Sequence, residues 1–166
     1  MIPHFNLTAE PGRQDVSITN VFDAPRDLVF RAYTDPKLIP VWWNSKDFAV
    51  EVEKMEVRPG GSWRVISRDA SGGEYWFRGM YHDVSPPKRI VQTFEHQGMP
   101  GHISLETVTI EGLGAGRTRV TDHVVFQSVE DRDAALEMGM EAEAPRVMSR
   151  LEDLFRHLRG ELSRAA

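Results

Sequence analysis

The strongest constraint on this chain is the stretch from Phe48 to Phe126, where short alternating segments follow one another between glycine and proline turns. Val50 and Val52 alternate with acids, and Met55 and Val57 resume out of step after Lys54, which predicts a β-bulge. Pro59-Gly60-Gly61 then supplies a hairpin turn, because glycine adopts the positive φ that such turns require. Trp63 and Val65, Tyr75 to Val84, Ile90 to His96, His102 to Ile110 and Arg117 to Phe126 continue the strand pattern. Their separators are Ser71-Gly72-Gly73, Pro86-Pro87, a loop through Gly98, Pro100 and Gly101, and Gly112-Leu113-Gly114-Ala115-Gly116. Links this short join antiparallel neighbours. A further strand over Asp15 to Phe22 brings the predicted sheet to about seven strands.

Helical signals lie on either side of this run. Asp23-Ala24-Pro25 reads as a helix start with Asp23 as the capping acid, Asp35-Pro36 repeats the signal, and Leu28, Val29, Ala32 and Tyr33 give the first short helix one apolar face. Pro40 is expected to distort the second before Trp42-Trp43. After Ser128-Val129-Glu130-Asp131, which has the form of a capping box, Val147, Met148, Leu151, Leu154, Phe155 and Leu158 recur at helical spacing. Pro145 removes the donor for the Glu141 carbonyl, so a kink or break is expected there, in a stretch that Gly139 also weakens. Residues 1–14, polar and carrying Pro3, Pro11 and Gly12, read as an extended N-terminal arm. Helices segregated from a continuous antiparallel run make the fold class α+β, in one domain over 1–166. A curved sheet needs its concave face filled, and the C-terminal helix is the one element long enough. Close packing at one end only would leave a cavity at the other.

Composition excludes several functions. A formal charge of -5, with mixed signs along the chain, argues against nucleic-acid binding, which needs a basic stripe over the phosphates. The sequence has no cysteine, hence no disulfide, thiolate metal site or cysteine nucleophile, and this fits a reducing cytoplasm. Met1-Ile2-Pro3-His4-Phe5-Asn6 carries neither a basic nor an apolar leader segment, so no secretion signal is expected. No apolar run approaches the roughly 20 residues that span a bilayer. The glycine-rich Gly112–Gly116 segment is read as a turn, since no helix start follows to hold a phosphate.

Several segments together carry a resemblance. They are Phe22-Asp23-Ala24-Pro25 with Val29-Phe30, Thr34-Asp35-Pro36, Trp42-Trp43 and Arg58-Pro59-Gly60-Gly61-Ser62-Trp63-Arg64. Gly79-Met80-Tyr81, Ser85-Pro86-Pro87-Lys88-Arg89-Ile90-Val91 and Met138-Gly139-Met140 follow in order. In order and spacing the chain resembles the helix-grip proteins, also called START-like, Bet v 1-like or SRPBCC. Among them it is most similar to the bacterial group related to the activator of Hsp90 ATPase (AHSA1-like). The resemblance implies a curved antiparallel sheet around a long C-terminal helix. It is compatible with a homodimer and with an Hsp90-type chaperone partner. The two-domain eukaryotic activators carry a further domain ahead of this one, which this chain is expected to lack, so their activity on Hsp90 is not carried over.

Candidate site residues follow from which side chains face the concave side. Trp43, Trp63, Phe77, Phe94, Met138 and Met140 are expected as walls of an apolar cavity, with Gln92, His96 and Glu106 as its polar groups. Trp42-Trp43 reads equally as a cavity cap or as core packing. One strand parity presents Gln92, His96, His102, Glu106 and Asp122 to the interior and the other gives them to solvent; the sequence leaves both open. His96, His102 and Glu106 have the chemistry of a zinc set, but histidines at strand ends are common, and neither metal nor cofactor is expected. The first functional reading is binding of a small apolar molecule, lipid-like or aromatic. The second is a cyclase- or hydrolase-type acid–base enzyme in the same cavity, and the third is a chaperone-interaction module.

Overall fold

The structure, a computed structural model, describes residues 4–166. Met1 to Pro3 of the expected arm lie outside the described residues. Strands β1 (Asn6–Thr8) and β2 (Asp15–Phe22) lead into helices α1 (Arg26–Thr34) and α2 (Ile39–Trp42). Six strands follow: β3 (Ala49–Met55), β4 (Ser62–Arg68), β5 (Glu74–Ser85), β6 (Arg89–His96), β7 (Ser104–Gly114) and β8 (Arg117–Val125). The chain closes with α3 (Val129–Ala135), a wide turn over Leu136–Met140, and α4 (Glu141–Ala165). All pairings are antiparallel, in one curved sheet of eight strands ordered β1-β2-β8-β7-β6-β5-β4-β3. The fold is the α+β helix-grip architecture.

The sheet has one strand more than expected. Phe5, Leu7 and Ala9 of the N-terminal arm are half-buried against the core, and Asn6–Thr8 pairs along β2 as a three-residue edge strand. The register of β3 and β4 shifts between Val52 and Lys54, where the alternation had broken step. Val16, Ile18 and Phe22 of β2, with Val120 and Val124 of β8 and Val108 and Ile110 of β7, put one continuous apolar face inward. Leu151, Leu154 and Phe155 of α4 pack on it, and Phe22 meets Phe155 edge-on with ring centroids 5.0 Å apart. This is the tightly packed end of the molecule.

Two helix expectations are corrected. Pro25, not Asp23, stands at the N-cap of α1, and no side chain caps it. The C-terminal segment breaks at Gly139 rather than at Pro145. Gly139 takes φ 109°, a conformation that costs glycine little and other residues much more. The helix restarts at Glu141, so Pro145 falls in its second turn and the missing amide touches only the first carbonyl of α4. Pro40 sits in the first turn of α2, where its ring is tolerated. Ser128 does cap α3, its hydroxyl accepting from the Asp131 amide at 3.0 Å. Ser128→Ala should therefore cost about 1 kcal/mol. In a protein of this size that is a fall of roughly 2–4 °C in thermal midpoint, and an unchanged midpoint would show the cap to be idle.

Candidate functional site

The N-terminal end of α4 does not fill the sheet beneath it. A cavity of about 350 Å³ remains there, and its wall is mostly aromatic and aliphatic. Trp43 stands over it, with ring centroids 5.7 Å from Trp63, 5.5 Å from Phe77 and 6.5 Å from Phe94. Trp63 on β4 lies across from Gly79 on β5, and the missing side chain there gives the indole a flat bed. The Trp42-Trp43 pair divides its work. Trp42 is buried, donates its indole N–H to the Ala32 carbonyl at 2.9 Å and also borders the cavity, whereas Trp43 is half-buried with its ring toward it.

The polar groups come from the middle of the sheet. Gln92 on β6 pairs with Glu106 on β7 across the ladder, and Gln92 donates to the Glu106 carboxylate at 2.9 Å. Glu106 opposes Val124 and Asp122 opposes Val108, which makes the two acids diagonal neighbours on one face of β7 and β8. Tyr33 of α1 closes the same corner. Burial disfavours the charged form here: it pushes Glu106 up to about 7, against which the Gln92 bond works only partly. Asp122 is raised well above the carboxylate range, first by burial and then by the Glu106 charge. The Tyr33 hydroxyl is raised by burial and by both acids. Asp122 Oδ1 is closed off from solvent and has no hydrogen-bond partner.

A second space of about 450 Å³ continues toward the β6–β7 loop and the turn at Gly139. Phe77, Phe94, Glu106, Met140 and Glu143 border both spaces and form the neck between them. Of the residues singled out from sequence, Trp43, Trp63 and Gln92 line the first space alone, and Phe77, Phe94, Glu106 and Met140 line both. His96 and Met138 border only the second, and Met138 is 56 % exposed at its mouth. His96 stacks near Phe77 and Phe94, accepts from the Gly98 amide through Nδ1, and is shifted by burial toward the neutral form. His102 lies instead against Asp131, 2.9 Å away at the start of α3, so the His96, His102 and Glu106 set is not assembled.

Sequence reasoning missed Tyr33 and Tyr81 as lining residues, and it named Asp122 only as one outcome of an open parity. The sole signal for Tyr33 was its place on the apolar face of α1. Glu143 was missed as well; Arg150 holds its carboxylate at 2.6 Å and donates to the Trp42 carbonyl at 2.9 Å, tying α4 to α2 beside the cavity.

Comparison with known proteins now decides the family. Residues 23–156, which hold α1, strands β3 to β8 and most of α4, match the family described as activator of Hsp90 ATPase homolog 1-like proteins. The chain belongs to that family. Solved structures agree with its AHSA1-like fold. A protein from Rhodobacter sphaeroides is 21 % identical, with a TM-score of 0.82 over 92 % of this chain and 99 % of its own. Protein Ms6760 from Mycobacterium smegmatis is also 21 % identical, with a TM-score of 0.81 over 94 % of this chain and 99 % of its own. A Staphylococcus epidermidis protein reaches 26 % identity and a TM-score of 0.75 over 90 % of this chain and 94 % of its own. A search of curated proteins found no match. No helix of this AHSA1-like chain, among the described residues, is long and apolar enough to cross a membrane.

Proposed function

We propose that the cavity binds a small, largely apolar molecule, lipid-like or aromatic, with Trp43, Trp63, Phe77, Phe94 and Met140 against its body and Gln92 and Glu106 orienting it. His96 and Met138 stand at the outer space through which such a molecule passes. The observation that carries this reading is the aromatic-walled space of about 350 Å³ left between the sheet and the start of α4. Its size lies in the range of small-molecule sites, and Gln92, Glu106, Asp122 and Tyr33 meet in one corner of a mostly apolar wall, the usual anatomy of such a site. Each 100 Å² of ligand apolar surface taken from water is worth about 2.5 kcal/mol. Binding therefore rests on burial, and the polar corner fixes orientation.

Native and then denaturing mass spectrometry of the purified protein tests whether a ligand travels with it, as an added mass lost on unfolding. A titration with naphthol, followed by energy transfer from tryptophan, tests the empty protein. Saturable binding is expected, and Met140→Trp, which fills the neck, should weaken it at least about tenfold, or roughly 1.4 kcal/mol. Binding that fails to saturate, or that ignores the filled neck, would place the molecule elsewhere and sink the reading.

The enclosed acids favour a second reading, an acid–base catalyst of the cyclase or hydrolase type. A carboxyl group brought near neutrality in an apolar pocket is poised to give and take a proton. In that case Glu106→Gln abolishes turnover while leaving ligand affinity nearly intact.

A further inference from the structure

The charged groups of the cavity are of one sign. Glu106 from β7, Asp122 from β8 and Glu143 from α4 line it, with Tyr33 from α1 and Tyr81 from β5, and no lysine, arginine or histidine is among its described lining residues. Arg150 already holds Glu143. Glu106 has a neutral partner, Gln92, and Asp122 Oδ1 has none, although it is shut off from solvent. Two carboxyl groups thus stand side by side in an apolar enclosure without a cation. Buried charges in proteins are paired or neutralised: this corner is neutralised by protonation, and a bound cation is what would let it ionise. The adjoining wall suits the same ligand. Trp43, Trp63, Phe77 and Phe94 form a cluster with ring centroids 5.5 to 6.5 Å apart. Aromatic faces attract organic ammonium groups, and desolvation strengthens the attraction.

We infer that the ligand of this cavity is an amine: a small molecule with an apolar body and one protonated nitrogen. The nitrogen sits between Glu106 and Asp122, and the body lies against Trp43, Trp63, Phe77 and Phe94. This rests on the ligand-binding reading above and narrows it to a chemical class. A neutral hydrocarbon of the same shape fills the space but leaves Asp122 Oδ1 unpartnered. An anion meets two acids with no base to offset them.

The charge balance makes binding depend on pH. The titratable groups facing Glu106 in the first space are Asp122 from β8, Tyr33 from α1 and the Arg150-paired Glu143 from α4, with the neutral Gln92 from β6. On the side of the second space they are His96 from β6, His102 from the β6–β7 loop and Asp131 from α3. With its carboxyl group raised to about 7, Glu106 must lose its proton to receive an ammonium. Amine affinity should therefore rise roughly tenfold from pH 6 to pH 8, while the affinity of a neutral analogue stays level.

Calorimetric titration of the full chain with tryptamine and with tryptophol tests the inference, because the two share an indole body and differ in carrying an amine or a hydroxyl. At pH 8 tryptamine should bind at least about tenfold tighter, a difference of roughly 1.4 kcal/mol. Glu106→Gln and Asp122→Asn, both close in shape to the parent residues, should each lower tryptamine affinity more than tryptophol affinity and so shrink that preference. If tryptophol binds as well as tryptamine, or if the preference survives in both variants, the amine assignment falls while the cavity reading stands. If neither compound nor naphthol binds, the cavity reading falls and takes the assignment with it.

Discussion

Gly79→Ala is expected to destabilise the protein by about 3 kcal/mol or more, at or beyond the top of the usual range for overpacking. A side chain at this position has nowhere to go. Its first carbon would lie 1.9 Å from the Thr93 carbonyl oxygen and 2.7 Å from Trp63 Nε1. The first neighbour is backbone, fixed by the adjoining strand, and the second is an indole that is 4 % exposed and packed against Trp43 and Phe94. Relief requires β5 and β6 to separate or Trp63 to swing into the cavity. The first breaks the sheet where Met80 already bonds to the Thr93 side chain instead of its backbone; the second occupies the proposed ligand space. Thermal unfolding should show a fall of roughly 6–12 °C, from the size scaling of the unfolding entropy. A change under about 2 °C would mean that Trp63 does not need the glycine bed.

Glu106→Gln should have the opposite sign and similar size, and it should depend on pH. The folded protein holds the Glu106 proton up to about pH 7, whereas the unfolded chain releases it near the ordinary 4.5. Between those values the folded state binds more protons than the unfolded one, so stability falls as pH rises through this window and then levels off. The shift corresponds to roughly 3 kcal/mol lost by pH 8. Glutamine removes the ionisation, keeps a carbonyl for Gln92 to donate to, and spares Asp122 a neighbouring charge. The variant should be about 3 kcal/mol more stable than the parent at pH 8 and within about 1 kcal/mol at pH 5. Denaturant unfolding at the two pH values measures both numbers. A variant no more stable than its parent at pH 8 would show that the Glu106 carboxylate is hydrated and unstrained. A gain in stability on removing a cavity acid is also what a functional site predicts, since binding groups are kept at a cost to the empty fold.

Much of the fold was legible in the chain. Turn chemistry placed the hairpins, and the interrupted alternation after Val52 marked the bulge. The helical spacing from Val147 to Leu158 identified the element that the sheet grips. These are local signals: each depends on a few consecutive residues and on backbone conformations that glycine and proline restrict or release. The missed strand over Asn6–Thr8 shows the limit of such signals, because three residues are too few to establish a period. The helix break shows another. Proline is the stronger breaker by propensity, yet its cost is small near a helix start, and the start was set by the left-handed turn at Gly139.

The site was legible only as alternatives. Strands β6, β7 and β8 mix apolar and polar residues on both parities: Val91, Thr93 and Glu95 against Ile90, Gln92 and Phe94 in β6 alone. Periodicity said that Gln92, Glu106 and Asp122 share a face, but not which face. Tertiary structure chose it, because α4 packs on the side that carries Val108, Ile110, Val120 and Val124, and burying those residues draws the acids between them inward. The meeting of Tyr33 with the two acids, and of Trp63 with Gly79, had no trace in the chain. Such contacts join residues distant in sequence through strand register and helix placement, and a register is settled by the energy of the whole sheet rather than by any one segment.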